Sequence, residues 1–435
     1  MAVRVARSDD PPGAVAVVLR LGRILLVTTA VLGPAALAWA ATALVRGRPA
    51  AWRLAWPRLV TLLTWLGPAF VKAGQVLGTR RDLLPSALCD ALATLQDSVA
   101  PLSAARAAEA LAEVYGDEVD TLFAEVDYAA IASGSVACVH RARLTSGREV
   151  ALKLRRPGVD RAMRLDLRLV RRGAALVAGL PPCRGVPVVE VVDALCAAVL
   201  GQLDFEREAA NLVRLRADLA VVPRVWVPQV VPEACRPQCI VMEFIRDLDL
   251  DAASRCPSAA RRKFAASALT AMYEMLFVNG FVHCDLHPGN LYFTESAQVV
   301  VLDAGFSVQL TERLRLLFAD FFLNMAIGDG DKCAAIVVES SAEVRPDADL
   351  AGFLDRMADL VRRSHKLPAR EFSLIAFATE MFDLQRRHGI HAAPELIFPL
   401  LSLLVIEGTI RDLDPEADFQ ELARPVLVKG RFGAR

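Results

Sequence analysis

The segment FVHCDLHPGNLYF, residues 281–293, sets His283, Asp285 and His287 at alternate positions and follows them at once with Pro288 and Gly289. This stretch sharply narrows what the chain around it can be. On a helix His283 and His287 would share a face, but Asp285 would point away from both, and Pro288 and Gly289 would break the turn. A helical metal site held by these histidines fails on geometry, so the segment is expected to be a loop. Its neighbours set the kind of loop: Ser258 to Gly280 reads as a long helix with a glycine stop, and LYFT with VVVLD (Val299 to Asp303) as a short hairpin. That succession delivers Asp303 to the hairpin's far end, 303 − 285 = 18 residues after Asp285.

Asp285 can then orient a hydroxyl or water or take its proton, while Asn290 offers an amide oxygen, and Asp303 a carboxylate, to Mg²⁺. This is the catalytic-loop and metal-aspartate arrangement of protein-kinase-like phosphoryl transfer. Such a site needs a phosphate-binding lysine on a hairpin. Ser135 to Leu144 and Glu149 to Arg155 are β-like runs joined by Thr145 to Arg148, and VALKL sets Lys153 in the second. Glu208, in DFEREAANL on a following helix, is the candidate partner carboxylate, and the backbone of Met242, Glu243 and Phe244 is the candidate adenine hinge. No GxGxxG loop is present; the corresponding stretch, Ala130 to Ala137, holds one glycine, so Ala132, Ser133, Gly134 and Ser135 would border the phosphates. The expected fold is α+β: a two-lobed, protein-kinase-like fold with a small antiparallel-sheet N-lobe (121–245) and a helical C-lobe (246–435). A helical extension (51–120) and an N-terminal tail (1–50) precede it. Everything from Thr311 onward reads as helical.

Composition sharpens three points. Acidic and basic residues balance at 50 each, so no global field draws the chain to nucleic acid. Only six residues are lysine (72, 153, 263, 332, 366 and 429) against 50 − 6 = 44 arginines, which makes each lysine a candidate for a place where a compact point charge is needed. Nine cysteines without a CxxC pair read as reduced thiols. From Ile24 to Val45 the chain runs 22 residues without a charge, long enough to cross a bilayer, with Gly33 and Pro34 inside it and arginines on both flanks. Spanning and lying against the membrane are both open.

These motifs together resemble the UbiB/AarF family of atypical kinases, which includes the mitochondrial coenzyme Q kinase-like proteins. ASGSVACVHRARL resembles the family's alanine-rich loop and SxxxVH, and His283 to Asn290 reproduce HxDxHPGN. LGPAFVKAGQVLGTRRDLLP, with LQD at 95–97, resembles its KxGQ signature; Lys72, Gly74 and Gln75 form the core. IEGTIRDLDPEADF resembles the family's ending, so the likeness runs from Gly67 to Phe419. It implies ATP or ADP and Mg²⁺ as cofactors. It also implies a KxGQ helix folded over the nucleotide site, favouring ATPase or small-molecule kinase activity over protein phosphorylation. Lys72, Gln75, Gln202 and Asp204 join the candidate nucleotide-site residues. The implied setting is isoprenoid-quinone or other prenyl-lipid metabolism on the cytoplasmic side of the cell membrane, with prenyl lipid or lipid-biosynthesis enzymes as partners.

Three positions depart from the family pattern. Its ExD pair becomes Gln202 and Asp204, an amide that brings no second negative charge. Gly134 stands where alanine is usual, and the DFG triplet reads Asp303-Ala304-Gly305, which keeps the metal aspartate and loses the phenylalanine. Gln202 and the missing phenylalanine motivate an alternative, a nucleotide-gated scaffold without catalysis that binds lipids or partner enzymes. A further alternative is a small-molecule phosphotransferase of the antibiotic or choline kinase type, which shares HxDxxxxN but has no use for KxGQ.

Overall fold

The computed structural model describes residues 14–78, 86–95, 99–178, 188–246, 248, 255–286, 289–294, 298–365, 367 and 371–433. His287 and Pro288 of the loop, Gln96 and Asp97 of LQD, and the RRDLLP stretch lie outside the described residues. The chain divides into two compact units. One comprises 1–80, 84–205 and 234–240, the other 81–83, 206–233 and 241–435.

The first unit opens with α1 (Ala14–Arg46), turned back at Gly47 (φ 83°) into α2 (Arg48–Leu66). The two helices run antiparallel: Arg20, early on α1, donates to the Leu66 carbonyl at the end of α2 (2.6 Å). The same guanidinium grips Asp166 through two bonds of 2.5 and 2.6 Å. Helix α3 (Pro68–Gly78) carries KxGQ and packs through Gly74, where a Cβ would stand 2.4 Å from Leu95 Cδ1 and 2.8 Å from Leu63 Cδ1. Helices α4 (Ser86–Leu92), α5 (Ala104–Tyr115) and α6 (Val119–Leu122) lead into the sheet. Ser103 caps α5 by accepting from Arg106 N, and Gly116 ends it.

The sheet has the order β1-β2-β3-β5, from β1 (Phe123–Ser133), β2 (Ala137–Leu144), β3 (Glu149–Arg155) and β5 (Cys239–Glu243). The β2–β3 hairpin is the expected one, with Val139 opposite Lys153 and Gly147 (φ 86°) in the turn. Strand β1 corrects the sequence reading, which took Ala130 to Ser133 as loop. Its side chains are largely exposed and its pairing with β2 shifts register three times, so the apolar alternation that marks a strand is missing. Helices α7 (Val159–Ala178), α8 (Val188–Gly201) and α9 (Phe205–Leu219) follow.

In the second unit β4 (Val225–Trp226) pairs with the hairpin of β7 (Leu291–Phe293) and β8 (Val299–Val301). Helix α10 (Ser258–Tyr273) runs into one π-turn (Glu274–Asn279) and stops at Gly280 (φ 63°). Strand β6 (Phe281–His283) pairs antiparallel with β9 (Ser307–Gln309). Helices α11 (Glu312–Ile327), α12 (Gly330–Glu339), α13 (Leu350–His365), α14 (Leu374–Arg387), α15 (Pro394–Leu413) and α16 (Phe419–Phe432) complete it. The expectation of helix alone after Thr311 is corrected by a two-stranded ladder, β10 (Ser341–Val344) with β11 (Ile390–Ala392), each strand too short to show a period of two.

Candidate active site

The quoted segment is a loop between β6 and β7, and His283 is its brace. Its imidazole is wholly buried; Nε2 donates to the Leu302 carbonyl (3.0 Å) and Nδ1 accepts from the Asp285 N–H (3.1 Å). Both nitrogens are thus committed, which removes His283 as a metal ligand. Ser402 on α15 donates to the His283 carbonyl (2.9 Å), and Cys284 N to the Phe306 carbonyl (2.9 Å), fixing the strand that carries Asp285.

Pairing of β7 with β8 brings Asn290 and Asp303 together although 303 − 290 = 13 residues separate them. Leu291 faces Val301, and Leu302 N donates to the Asn290 carbonyl (2.9 Å). The Asn290 Nδ2 donates to the Asp285 carbonyl (2.9 Å) and reaches its Oδ2 (3.4 Å), so the acceptor atom Oδ1 is what the amide can offer to a cation. Asp303 holds φ 53°, a left-handed conformation uncommon for residues other than glycine, and its Oδ1 accepts from Gly305 N (3.2 Å).

Glu208 belongs to the same unit and is 1 % exposed. A Cβ on Gly305 would lie 3.2 Å from Asp303 Oδ1 and 3.4 Å from Glu208 Oε2, so both carboxylates flank this glycine. One turn on, at i+3, Asn211 donates to the Ala304 carbonyl (3.0 Å). Sequence reasoning missed Asn211; its spacing from Glu208 was the available signal. Ala304 itself is fully buried. Of the hinge, Glu243 uses its N–H on the Gln229 carbonyl (2.8 Å), and its Oε2 accepts from Gln229 N (3.1 Å) and Trp226 Nε1 (3.3 Å). Phe244 follows at the end of β5, half-buried.

In the first unit Lys153 is half-buried on β3, its ammonium 5.5 Å from the centre of the Phe205 ring. Ala132 and Ser133 end β1, and Gly134 and Ser135 lie in the turn to β2, where Gly134 N donates to the Ala137 carbonyl (2.9 Å). Arg156, also missed, ties this turn down: Nε donates to the Gly134 carbonyl (2.8 Å), and NH2 to Ser133 Oγ (2.7 Å) and the Ala100 carbonyl (2.7 Å). On α3 the Gln75 Nε2 donates to the Leu95 carbonyl (3.2 Å), and Lys72 is half-buried. Gln202 and Asp204 sit in the turn between α8 and α9, Asp204 exposed.

A lysine on the third strand of a small antiparallel sheet, and an aspartate loop joined by a hairpin to a second aspartate, define a protein-kinase-like fold. Residues 94–337 match the ABC1 atypical kinase-like domain and 357–418 the UbiB helical domain. The chain is 33% identical over 370 residues to the Probable protein kinase UbiB of Aeromonas hydrophila subsp. hydrophila, covering 83% of this chain and 68% of that one. It is also 33% identical over 391 residues to the protein of the same name from Sodalis glossinidius, covering 88% and 72%. Among solved structures, the complex of Rv3197 with erythromycin from Mycobacterium tuberculosis aligns at TM-score 0.61 and 21% identity, over 83% of this chain and 92% of that one, a likeness of fold. The chain belongs to the UbiB family of atypical kinases.

Burial pushes the His283 imidazole below its ordinary value of 6.5, and does the same to His140 on β2. In each case the unfolded chain takes up a proton first. Stability from the neutral buried ring is therefore present above pH 6.5 and is lost as pH falls below it. We expect His283→Gln to cost about 1–3 kcal/mol at pH 8 through the lost brace. Its denaturation midpoint should also fall less than the wild type's between pH 7 and pH 5. Glu407, whose carboxyl burial raises, has the opposite sign at lower pH, and the difference between the two proteins cancels it. Parallel pH profiles would contradict the assignment.

Proposed function

We propose that the chain is an ATP-binding, Mg²⁺-dependent atypical kinase or ATPase serving isoprenoid-quinone or other prenyl-lipid metabolism at the cytoplasmic side of the cell membrane. The observation that supports the chemistry is the β7–β8 ladder, whose backbone bond from Leu302 N to the Asn290 carbonyl sets Asn290 across from the residue before Asp303, while the Asn290 amide holds the Asp285 carbonyl. The lipid setting rests on the relatives' name.

Asn290 and Asp303 suit Mg²⁺: the donors are hard oxygens and few, as expected where waters and phosphate oxygens complete the shell. When bound, Mg²⁺ supplies positive charge against the β and γ phosphates. Lys153 grips the α and β phosphates as a point charge. Glu208 orients that lysine. The His283 brace and the Asn290 amide hold Asp285 where it aligns an acceptor hydroxyl or water and takes its proton. Ala132 to Ser135 line the phosphates, and the backbone at Glu243 and Phe244 meets adenine.

Gly74 and Gln75 have packing and backbone-bonding roles, which leaves Lys72 as the chemical member of the signature, with Gln202 and Asp204 beside the nucleotide site. Lys72→Ala is therefore expected to change ATPase rate or nucleotide preference severalfold without unfolding the chain. An unchanged rate and unchanged nucleotide affinity would reduce KxGQ to architecture. Ala304 and Gln202 favour a second reading, a nucleotide-gated scaffold that binds ATP without turnover.

Helix α1 is the one helix among the described residues long and apolar enough to cross a membrane. It exposes Leu19, Leu25, Leu26, Leu37, Leu44 and Val45, each more than 65 % accessible, and such an apolar surface needs an apolar medium. The arginine-bearing α2 runs beside it, and spanning and lying in the interface are the two arrangements that extraction separates. Removal of residues 1–48 should release the protein from membranes; carbonate extraction of the full chain separates interfacial attachment (extracted) from a span (retained).

A further inference from the structure

Glu208 and Asn211 stand one turn apart on α9 and meet the same three residues, Asp303 to Gly305. Glu208 Oε2 lies 3.4 Å from where a Cβ on Gly305 would stand, and Asn211 Nδ2 donates to the Ala304 carbonyl (3.0 Å). In protein kinases the packing of the middle phenylalanine of this triplet sets the active or inactive arrangement. Ala304 is fully buried but has no side chain beyond Cβ with which to do the same.

What restrains Ala304 is its carbonyl. The oxygen accepts from Asn211 Nδ2 and from Ser307 Oγ (3.2 Å), which occupies both of its lone pairs. Ser307 lies only three residues on in the same segment, whereas Asn211 comes from another element, 93 residues away in sequence. The residue immediately before this carbonyl's own is Asp303, whose φ of 53° persists only where the surroundings over-determine it.

We propose that Asn211 is a positioning residue for the metal aspartate. By holding the Ala304 carbonyl it keeps Asp303 in its left-handed conformation, with the carboxylate available to Mg²⁺, and so takes over the task of the missing phenylalanine. Loss of the donor leaves a buried carbonyl half met and lets Asp303 relax toward the right-handed region, which redirects its side chain. The proposal rests on the phosphoryl-transfer reading of Asp303.

The test compares the full-length wild type with Asn211→Leu, which keeps the size of the side chain and removes its donor; Asn211→Ala is a second, smaller variant with the same expectations. In the metal-free proteins, deuterium uptake by the peptide from Leu302 to Ser307 should rise in the variants, while α15 exchanges as in wild type. In ATP titrations, the Mg²⁺ concentration that half-maximally tightens binding should rise roughly five- to thirtyfold, the effect of one lost hydrogen bond, with ATP affinity in the absence of Mg²⁺ unchanged. Added to Asp303→Asn, the same substitution should change the Mg²⁺ response little further, because both act on one carboxylate. Uptake raised throughout the second unit with the Mg²⁺ response unmoved would mean a packing role alone and would overturn the proposal, as would full additivity with Asp303→Asn. Wild type that binds ATP without any response to Mg²⁺ would overturn the phosphoryl-site reading and this one with it; a responsive wild type beside unshifted variants would overturn this one alone.

Discussion

Asp303→Asn is expected to lower Mg²⁺-dependent ATP turnover by at least about a hundredfold with the fold intact, because it removes the one full negative charge offered to the cation beside Asn290. The substitution isolates charge from shape. Asparagine tolerates the left-handed conformation that Asp303 holds at φ 53°, and its amide oxygen can still accept from Gly305 N. Steady-state hydrolysis with and without Mg²⁺, together with a thermal melt, reads both halves. Equal turnover in wild type and variant would take Asp303 out of the phosphoryl site. ATP binding without turnover in either protein would favour the scaffold reading.

A large effect on stability is expected at Gly430, on the C-terminal helix α16. A Cβ there would stand 2.3 Å from the Phe277 carbonyl oxygen and 2.7 Å from its carbon, backbone atoms that cannot swing aside. Phe277 lies in the π-turn that ends at Gly280 and delivers the chain to Asp285. Arg315 clamps this junction, its NH1 donating to both the Phe277 and the Gly430 (2.8 Å) carbonyls, while Lys429 pairs with buried Glu274 at 2.7 and 2.9 Å. Gly430→Ala should therefore cost about 1–3 kcal/mol in denaturant melts. Gly408→Ala on α15, where a Cβ meets nothing within 4 Å, should be neutral or slightly stabilising. Similar losses at both positions would mean that helix identity alone, and not the close approach to Phe277, governs the site.

Legibility from sequence followed how local each signal is. Lys153, the His283 loop and Asp303 were readable because each sits in a short segment whose turn residues and periodicity agree, and their order reproduces one chemical constellation. That His283 and His287 form no helical metal site was readable from Asp285 pointing away on a helix and from Pro288 and Gly289 breaking its turn. Strand β1 was not, since exposure and bulges erase its alternation. Arg156 and Asn211 were missed because each acts through backbone carbonyls distant in sequence, Ala100 and Ala304; only the i+3 spacing of Asn211 from Glu208 offered a signal.

Equilibrium binding of ATP by the full-length protein, titrated with Mg²⁺, tests the nucleotide assignment most directly. Saturable binding that tightens with Mg²⁺ and weakens at least about tenfold in Lys153→Ala is the expected result. Absence of binding, or binding indifferent both to Mg²⁺ and to the loss of Lys153, would contradict it.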